Sequence, residues 1–227
     1  MEKILIICAH PDDEVLGCGG TLLKHKKLKD QINILFVFEG SSARNKDNTD
    51  ELNSNSNLNK RKKSAIKVAN FLKTNSIKFL DNQNLNSNSE TKLKITNEIT
   101  KHIEEIKPTI IYTHSSKDLN IDHRTCLESV LIATRVNKYP VKKILSFEVP
   151  SSTEWSFNLY GTFAPNYYVK IDEFIKNKIK LLEFYSYELK PFPYPRSKEN
   201  ILSQAKLSGS AVGTSYAERF EVVKILS

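Results

Sequence analysis

MEKILIICA at residues 1–9 is followed directly by HPDDE at residues 10–14, so a continuous apolar run meets a strongly polar turn. An apolar run of this kind that ends in turn residues is typical of a strand buried on both faces of a sheet. Residues 32–38 form a second such run, which also ends in small polar residues. Together they predict a sheet that is covered on both sides.

Strand-like and helix-like segments alternate over the first 150 residues. Further strands are predicted at 77–80, 108–114 and 143–149, and helices at 15–29, 61–72, 91–106 and 122–135. This alternation is typical of right-handed strand–helix–strand crossovers. We therefore predict an α/β fold that is Rossmann-like, with a mostly parallel sheet and helices on both faces.

The pattern changes after residue 150. Aromatic and proline-containing segments there flank one predicted helix at 171–189. We predict a single domain over residues 1–227, composed of an α/β core (1–150) and an irregular C-terminal cap (151–227). Within the core, the Asn- and Ser-rich stretch 44–60 is predicted as a loop or an irregular helix entry, and 82–89 as a second loop.

Charge and cysteine content limit the functional classes. The net charge is +8, but only six of the 34 basic residues are Arg and the lysines are scattered, which argues against nucleic-acid binding. No apolar run approaches the length of a membrane span and no signal peptide is evident. Three cysteines without a pairing pattern favour a reduced, cytoplasmic protein. We leave open whether the chain forms a homo-oligomer.

The polar turn at 10–14 is the strongest candidate for a metal site. His10 and Asp13, three residues apart at a strand end, can both reach one ion, and Asp12 between them is then free to act as a base. The alternative is a solvated loop with acidic residues in the first turn of a helix. That alternative explains Asp13 or Glu14, but not His10.

A third ligand has to come from elsewhere, and four other histidines exist. His25 and His102 lie on helical faces rich in charged residues and are predicted to be at the surface. His114 and His123 both follow the strand at 108–114, so either can reach the same edge of the sheet. A neighbouring acid, Asp118 or Asp122, could orient the ring of His123.

Several motifs taken together resemble one known family. HPDDE is followed by GCGGT at 17–21 and DHR at 122–124, and later by FEVPSSTEW at 147–155, PYPRS at 193–197 and GTSYAERF at 213–220. This ordered set resembles the LmbE-like (PIG-L) N-acetylglucosaminyl deacetylases over nearly the whole chain. The resemblance implies one zinc ion held by His10, Asp13 and His123, with Asp12 as general base. It also implies an N-acetylated sugar substrate, free, nucleotide-linked or part of a glycan precursor, that is hydrolysed to an amine and acetate.

The chain departs from the family pattern at several positions. Asn120 stands where several members carry a second histidine, and an amide donates a hydrogen bond but delivers no proton. Either Asp12 alone moves the proton or His114 assists, with Asp122 nearby as a further catalytic candidate. The expected substrate contacts are Arg44, Arg196 and Tyr194, the last at a position that is often histidine in relatives. Trp155 either stacks on a sugar or belongs to the core.

Three other functions compete with a sugar deacetylase. A metal-dependent amidase could act on a non-sugar amide or a thiol-sugar conjugate. A non-catalytic sugar- or nucleotide-binding protein would suit the loss of histidine at Asn120, but it has no need of Asp12. A dinucleotide-binding protein is disfavoured, because Gly17–Gly20 lacks the required glycine spacing and follows three acidic residues.

Overall fold

The computed structural model describes residues 1–38, 51–82, 89–135 and 139–226. The strands in these ranges are β1 (Lys3–Cys8), β2 (Gln31–Phe38), β3 (Ser76–Asn82), β4 (Ile110–His114), β5 (Lys143–Phe147), β6 (Tyr167–Lys170) and β7 (Ala217–Ile225). The α-helices are α1 (Asp13–Lys27), α2 (Glu51–Leu72), α3 (Ser89–Ile106), α4 (Ile121–Ala133), α5 (Ile175–Glu183) and α6 (Lys198–Ser210). None of the helices described is both long and apolar enough to cross a bilayer.

All seven strands join one sheet in the order β3-β2-β1-β4-β5-β7-β6. The first five pair in parallel, whereas β7 runs antiparallel to both β5 and β6. The α/β prediction with a mostly parallel sheet is thus confirmed. The strand order reverses between β1 and β4, and in sheets of this type the crevice beyond the carboxyl ends of those two strands is where ligands bind.

Alternate residues of β1 enter two separate apolar layers. Ile4, Ile6 and Cys8 pack with α1, α2, α5 and α6 on one face. Leu5 and Ile7 pack with α3 and α4 on the other. Because both faces are covered by helices, the buried strand leaves only its carboxyl end available for polar chemistry.

The structure differs from the sequence-based expectation in two places. Residues 151–226 are more regular than a cap, since they supply two helices and the strands β6 and β7, which extend the sheet at one edge. Helix α2 begins at Glu51, so the described part of the Asn- and Ser-rich stretch is helical. Asn and Ser are weak helix formers, so composition left a loop and an irregular helix entry as alternatives for this stretch.

Helix α1 lies unusually close to the sheet. A Cβ atom at Gly17 would stand 2.2 Å from the Phe147 ring, which explains the small residues in this run. The helix is irregular at Cys18, and the N–H groups of Gly20 and Thr21 just beyond it donate to the carboxylate of Glu218 on β7, at 2.8 and 2.6 Å. The last strand of the chain therefore caps the second half of the first helix.

Glu218 also forms a buried ion pair, from which a large effect on stability is expected. Its carboxylate accepts a hydrogen bond from Lys178 Nζ at 2.6 Å, and both side chains are about 5% exposed or less. Glu218→Gln would leave the Lys178 ammonium without a buried counter-charge, so we expect the free energy of unfolding to fall by about 3–5 kcal/mol in urea titrations. Glu173→Gln, in the exposed pair with Lys27, is the control and should change nothing measurable. Equal effects of the two substitutions would contradict the prediction.

Candidate active site

Two loops meet at the crevice between β1 and β4. The HPDDE turn follows β1, and residues 115–123 follow β4 and lead into α4. Although Asp12, Asp13 and Glu14 are acidic, at most 2% of each is exposed. Buried carboxylates are costly unless they are paired or bound to a cation, so this concentration of negative charge requires compensation.

Three of the predicted residues come together within reach of a single ion. One ligand atom each from His10, Asp13 and His123 lies within 4.8 Å of the others, and all three residues are buried. His10 Nδ1 is 3.7 Å from Asp13 Oδ2, and His123 Nε2 is 3.5 Å from the same oxygen. Two imidazoles and a carboxylate are a common ligand set for catalytic zinc.

Each of the two histidines has its other ring nitrogen facing a carboxylate. His10 Nε2 is 3.0 Å from Asp122 Oδ2, and His123 Nδ1 is 3.1 Å from Asp118 Oδ2. A carboxylate that takes the ring N–H fixes the tautomer and leaves the opposite nitrogen as a lone-pair donor. The opposite ring nitrogens, His10 Nδ1 and His123 Nε2, are the ones that face Asp13.

Three hydrogen bonds fix the position of the Asp118 carboxylate. Its carboxylate accepts from the Asn120 backbone N–H at 2.8 Å, from Thr153 Oγ1 at 2.7 Å and from Ser152 Oγ. Burial by itself would raise the pKa of Asp118, but the neighbouring His123 and these hydrogen bonds lower it below its ordinary value. Asp118 is therefore a fixed anion behind His123, a role that the sequence had left open between Asp118 and Asp122.

Removal of this anion should weaken metal binding. Asp118→Asn keeps the shape but removes the charge that orients His123, and we expect about 10- to 100-fold lower zinc affinity in competition with a chromogenic chelator. Asp30→Asn is a matched control, because Asp30 Oδ2 lies 2.8 Å from His25 Nδ1 in another carboxylate–histidine pair. Unchanged zinc affinity in Asp118→Asn, or an equal loss in the control, would count against this role.

An atom of Asp13 provides an independent test of whether a cation fits. Asp13 Oδ2 accepts from the His10 backbone N–H at 2.8 Å, but Asp13 Oδ1 is buried and has no hydrogen-bond partner among the residues that the structure describes. A buried carboxylate oxygen without a partner is rare and destabilising. An unpartnered oxygen on the carboxylate that two imidazole nitrogens face suits a bound metal ion.

The Asp12 carboxylate lies near two arginines. Its Oδ2 accepts from Arg196 Nη1 at 2.8 Å and lies 4.0 Å from Arg61 Nη2. Burial, the dominant effect, raises the pKa of Asp12 to about 6 against the opposing influence of the two guanidinium groups. The residue has φ of 122°, a conformation that few non-glycine residues adopt and that is often found at functional sites.

Several side chains that contact the HPDDE turn were assigned no role from the sequence. Glu188 Oε1 accepts from Arg61 Nε and Nη2 at 2.9 and 2.6 Å, which holds that guanidinium near Asp12. Glu14 accepts from Tyr185 at 2.6 Å and from the Asp12 backbone N–H at 3.0 Å, while burial raises the Glu14 pKa to about 8. Glu188 and Tyr185 come from the C-terminal segment, and no local pattern connects them with Asp12.

His114 and Asn120, the two candidates for an additional catalytic group, occupy different settings. His114 is fully buried, and its Nε2 accepts from the Ala9 backbone N–H at 2.8 Å. Burial lowers the pKa of His114 well below its ordinary value, so the ring is neutral and does not suit a proton donor. Asn120 is half-buried, and its Oδ1 caps α4 by accepting from the Asp122 N–H at 2.9 Å, as asparagine commonly does.

The structure describes two of the three predicted substrate contacts, Arg196 and Tyr194. Arg196 reaches the site, as described, and also donates from Nε to Ser151 Oγ at 2.7 Å. Tyr194 is half-buried and makes an edge-to-face contact with Trp155, whose ring is partly exposed and not in the core. Arg44 lies outside the described residues.

The two histidines that we expected at the surface are buried. His25 is 9% exposed and contacts Asp30 and the hydroxyl of Tyr112, and His102 is 6% exposed. Neither belongs to the cluster of possible metal ligands. The prediction of surface positions was wrong, because neighbouring lysines and glutamates point outward while these rings turn towards the core.

Comparison with known proteins provides a family match. The model described as "PIG-L: GlcNAc-PI de-N-acetylase" matches residues 5–134, which include all three possible ligands. The uncharacterized deacetylase YaiS of Escherichia coli K12 is 28% identical over 155 residues, which cover 66% of this chain and 76% of YaiS.

Solved structures show how widely the fold is used. The N,N'-diacetylchitobiose deacetylase of Pyrococcus horikoshii superposes with a TM-score of 0.77 at 17% identity, covering 98% of this chain and 84% of that one. GalB, the 4-carboxy-2-hydroxymuconate hydratase of Pseudomonas putida KT2440, gives 0.70 at 18% identity, with 100% and 98% coverage. A deacetylase and a hydratase thus share this fold, so the reaction has to be argued from the site.

Proposed function

The chain belongs to the PIG-L family of GlcNAc-PI de-N-acetylases, and from that premise we propose that it is a zinc-dependent deacetylase of an N-acetylated sugar. The observation that carries the proposal is the arrangement around Asp13. Two histidines, each oriented by its own carboxylate, face one buried carboxylate that has an unpartnered oxygen. The products would be acetate and an amino sugar.

The proposed metal ligands are His10, Asp13 and His123, with one ion per chain. A zinc ion in this position would lower the pKa of a water molecule and polarise the acyl oxygen of the substrate. The protein contributes the orientation of the ligands through Asp118 and Asp122. We therefore assign Asp122 to positioning of His10 and not to proton transfer.

Asp12 is the proposed general base. It would accept a proton as water attacks the acetyl carbon, and it would deliver a proton to the nitrogen as the C–N bond breaks. A raised pKa suits a group that has to take up and release a proton near neutral pH. The contact with Arg196 holds the carboxylate in place, so Arg196 would act through Asp12 in addition to any contact with substrate.

Asn120 is the better of the two candidates for a hydrogen-bond donor to the developing oxyanion. The side-chain oxygen of Asn120, Oδ1, accepts the hydrogen bond that caps α4. The side-chain NH₂ group makes no hydrogen bond within the described part of the chain. Such a donor stabilises negative charge without moving a proton. Asp12 would then perform both proton transfers alone. Tyr194 is proposed to contact the substrate as well.

Location and assembly remain proposals. Three buried cysteines without disulfides suit a reducing compartment, and we propose that the protein is cytoplasmic. The structure contains one chain, and a homo-oligomer stays a prediction that sedimentation analysis would test.

A metal-dependence experiment tests the proposed function. Protein loaded with one equivalent of zinc should release acetate from N-acetylglucosamine, free, nucleotide-linked or in a disaccharide, and should lose this activity on chelation and regain it on reloading. Amide substrates without a sugar provide the comparison that would reveal a broader amidase. Absence of acetate release from every N-acetylated sugar, with zinc bound, would remove the proposal; hydrolysis of the other amides would then indicate an amidase, and no hydrolysis at all would indicate a binding protein.

A further inference from the structure

His114 contacts both halves of the possible metal site, but it has no part in the mechanism proposed above. It ends β4, it is fully buried, and its Nε2 accepts from the Ala9 backbone N–H at 2.8 Å. Ala9 directly precedes His10, whereas the His114 ring lies against the ring of His123. The side chain therefore contacts the first loop of the site through a nitrogen and the second loop through its ring.

The contact with His123 is a nearly parallel stack. The two ring centroids lie 4.0 Å apart, and the ring planes are inclined by only 19°. His10, the other histidine of the ligand cluster, meets the His123 ring at 5.4 Å and 50°, so it presents no parallel face to it. His114 in turn contacts the buried ring of Phe147, 4.9 Å away at an angle of 61°. His114 thus connects the packed core with a proposed metal ligand.

This stack supplies a constraint that the carboxylate beside His123 does not. His123 Nδ1 lies 3.1 Å from Asp118 Oδ2, and a contact at one ring atom leaves the ring able to tilt about that atom. A metal ion binds the nitrogen lone pair in the plane of the ring, so a tilt would change the direction in which Nε2 can bind it. A flat ring at stacking distance opposes the tilt. Asp118 therefore orients one edge of His123, and His114 orients its plane.

His114 is not suited to be a fourth ligand. Its Nε2 lies 3.4 Å from Asp13 Oδ2, but a backbone N–H can only donate, so the lone pair of Nε2 is already used by Ala9. The ring proton is then on Nδ1, which is buried and has no partner among the residues that the structure describes. A buried N–H without a partner is destabilising, so packing alone does not explain a histidine at this position.

We propose that His114 is a positioning residue, which acts on the metal through His123 by holding the plane of that ring. This inference rests on the proposed function for the identity of His123 as a ligand. The hydrogen bond from Ala9 has a separate effect, because it pairs a buried backbone N–H and so stabilises the fold. The two contacts can be removed one at a time, since one uses a ring face and the other a nitrogen.

Two substitutions separate the ring from the nitrogen. His114→Gln keeps an acceptor at similar reach but has no ring, so zinc affinity should fall about 3- to 10-fold, the range expected for one aromatic contact. His114→Phe keeps a ring but leaves the Ala9 N–H unpaired, so zinc affinity should stay within about 2-fold while the urea midpoint falls. Competition with a chromogenic chelator measures the affinity, and urea titration of the zinc-free protein measures the stability.

Cobalt(II) bound in place of zinc gives a readout that general destabilisation does not change. Its visible absorption bands depend on the geometry of the ligands. His114→Gln should shift or weaken these bands, and His114→Phe should show the bands of the unaltered protein. His25→Gln is the control, because it removes another buried imidazole that meets an aromatic ring, that of Tyr112 at 5.7 Å, outside the ligand cluster. It should change neither the zinc affinity nor the cobalt bands.

The outcomes also separate this inference from the proposed function. Unchanged zinc affinity and cobalt bands in His114→Gln would overturn the positioning role. Equal losses in His114→Gln and His114→Phe would overturn it too, because they would assign the effect to the nitrogen. None of these measurements involves acetate release. A zinc-loaded protein that releases no acetate but shows the expected difference between the two variants would lose the deacetylase proposal and keep the positioning role.

Discussion

His123→Ala is expected to reduce the zinc content of the purified protein from about one equivalent to almost none, and to lower acetate release at least ~10³-fold. His123 is one of the three proposed ligands, and its Nε2 lies 3.5 Å from Asp13 Oδ2. A zinc ion contributes several kcal/mol of stabilisation to the transition state, so its loss outweighs any other single change at the site. Elemental analysis and steady-state kinetics on the same preparation provide the two measurements.

The control for this prediction is another buried histidine. His102→Ala removes an imidazole of similar burial on α3, outside the ligand cluster, and should leave zinc content unchanged. Any general loss of stability caused by deleting a buried ring would appear in both variants. Normal zinc content and activity in His123→Ala would refute the assignment of this residue as a ligand.

Asp12→Asn is expected to lower kcat by about 10²- to 10⁴-fold while zinc content stays near one equivalent. The amide has almost the same shape, and asparagine tolerates positive φ better than most residues, so the backbone at φ of 122° should persist. What disappears is the ability to accept a proton, together with the charge that Arg196 contacts.

The difference between the two variants is the informative result. Loss of activity with loss of zinc identifies a residue needed for metal binding, and loss of activity with zinc retained identifies a group needed for the chemical step. Asp172→Asn, at a partly exposed carboxylate far along the chain, should leave both quantities unchanged. If Asp12→Asn retained most of its kcat, another group would have to transfer the proton, and Asp12 would not be the general base.

The fold and the possible ligand cluster were accessible from the sequence because both depend on local patterns. Apolar runs that end at His10 and His114 predicted the strands, and parallel strands bring their carboxyl ends to one edge. The structure brings together His10, Asp13 and His123, and it adds which carboxylate faces which ring. That pairing depends on the direction of side chains, which residue spacing does not specify.

The groups around Asp12 were not accessible in the same way. Arg61 and Glu188 bond each other across 127 positions of sequence, and Arg196 reaches Asp12 across 184. Such contacts are created only when the C-terminal segment packs on the first helix. The antiparallel strand β7 was missed because the strand–helix alternation ends near residue 150, so the residues that follow were predicted as an irregular cap.

The cap that Glu218 places on the second half of α1 has a consequence for biosynthesis. A ribosome makes the chain from its amino end, so all three possible zinc ligands emerge long before Glu218 and Arg196. A nascent chain that ends near residue 134 therefore contains all three possible ligands, but it lacks Arg196, which donates to Asp12, and Glu218, which caps the second half of α1. The contacts of Asp12 and of the first helix are therefore complete only when Arg196 and Glu218 have been made and have packed on the core.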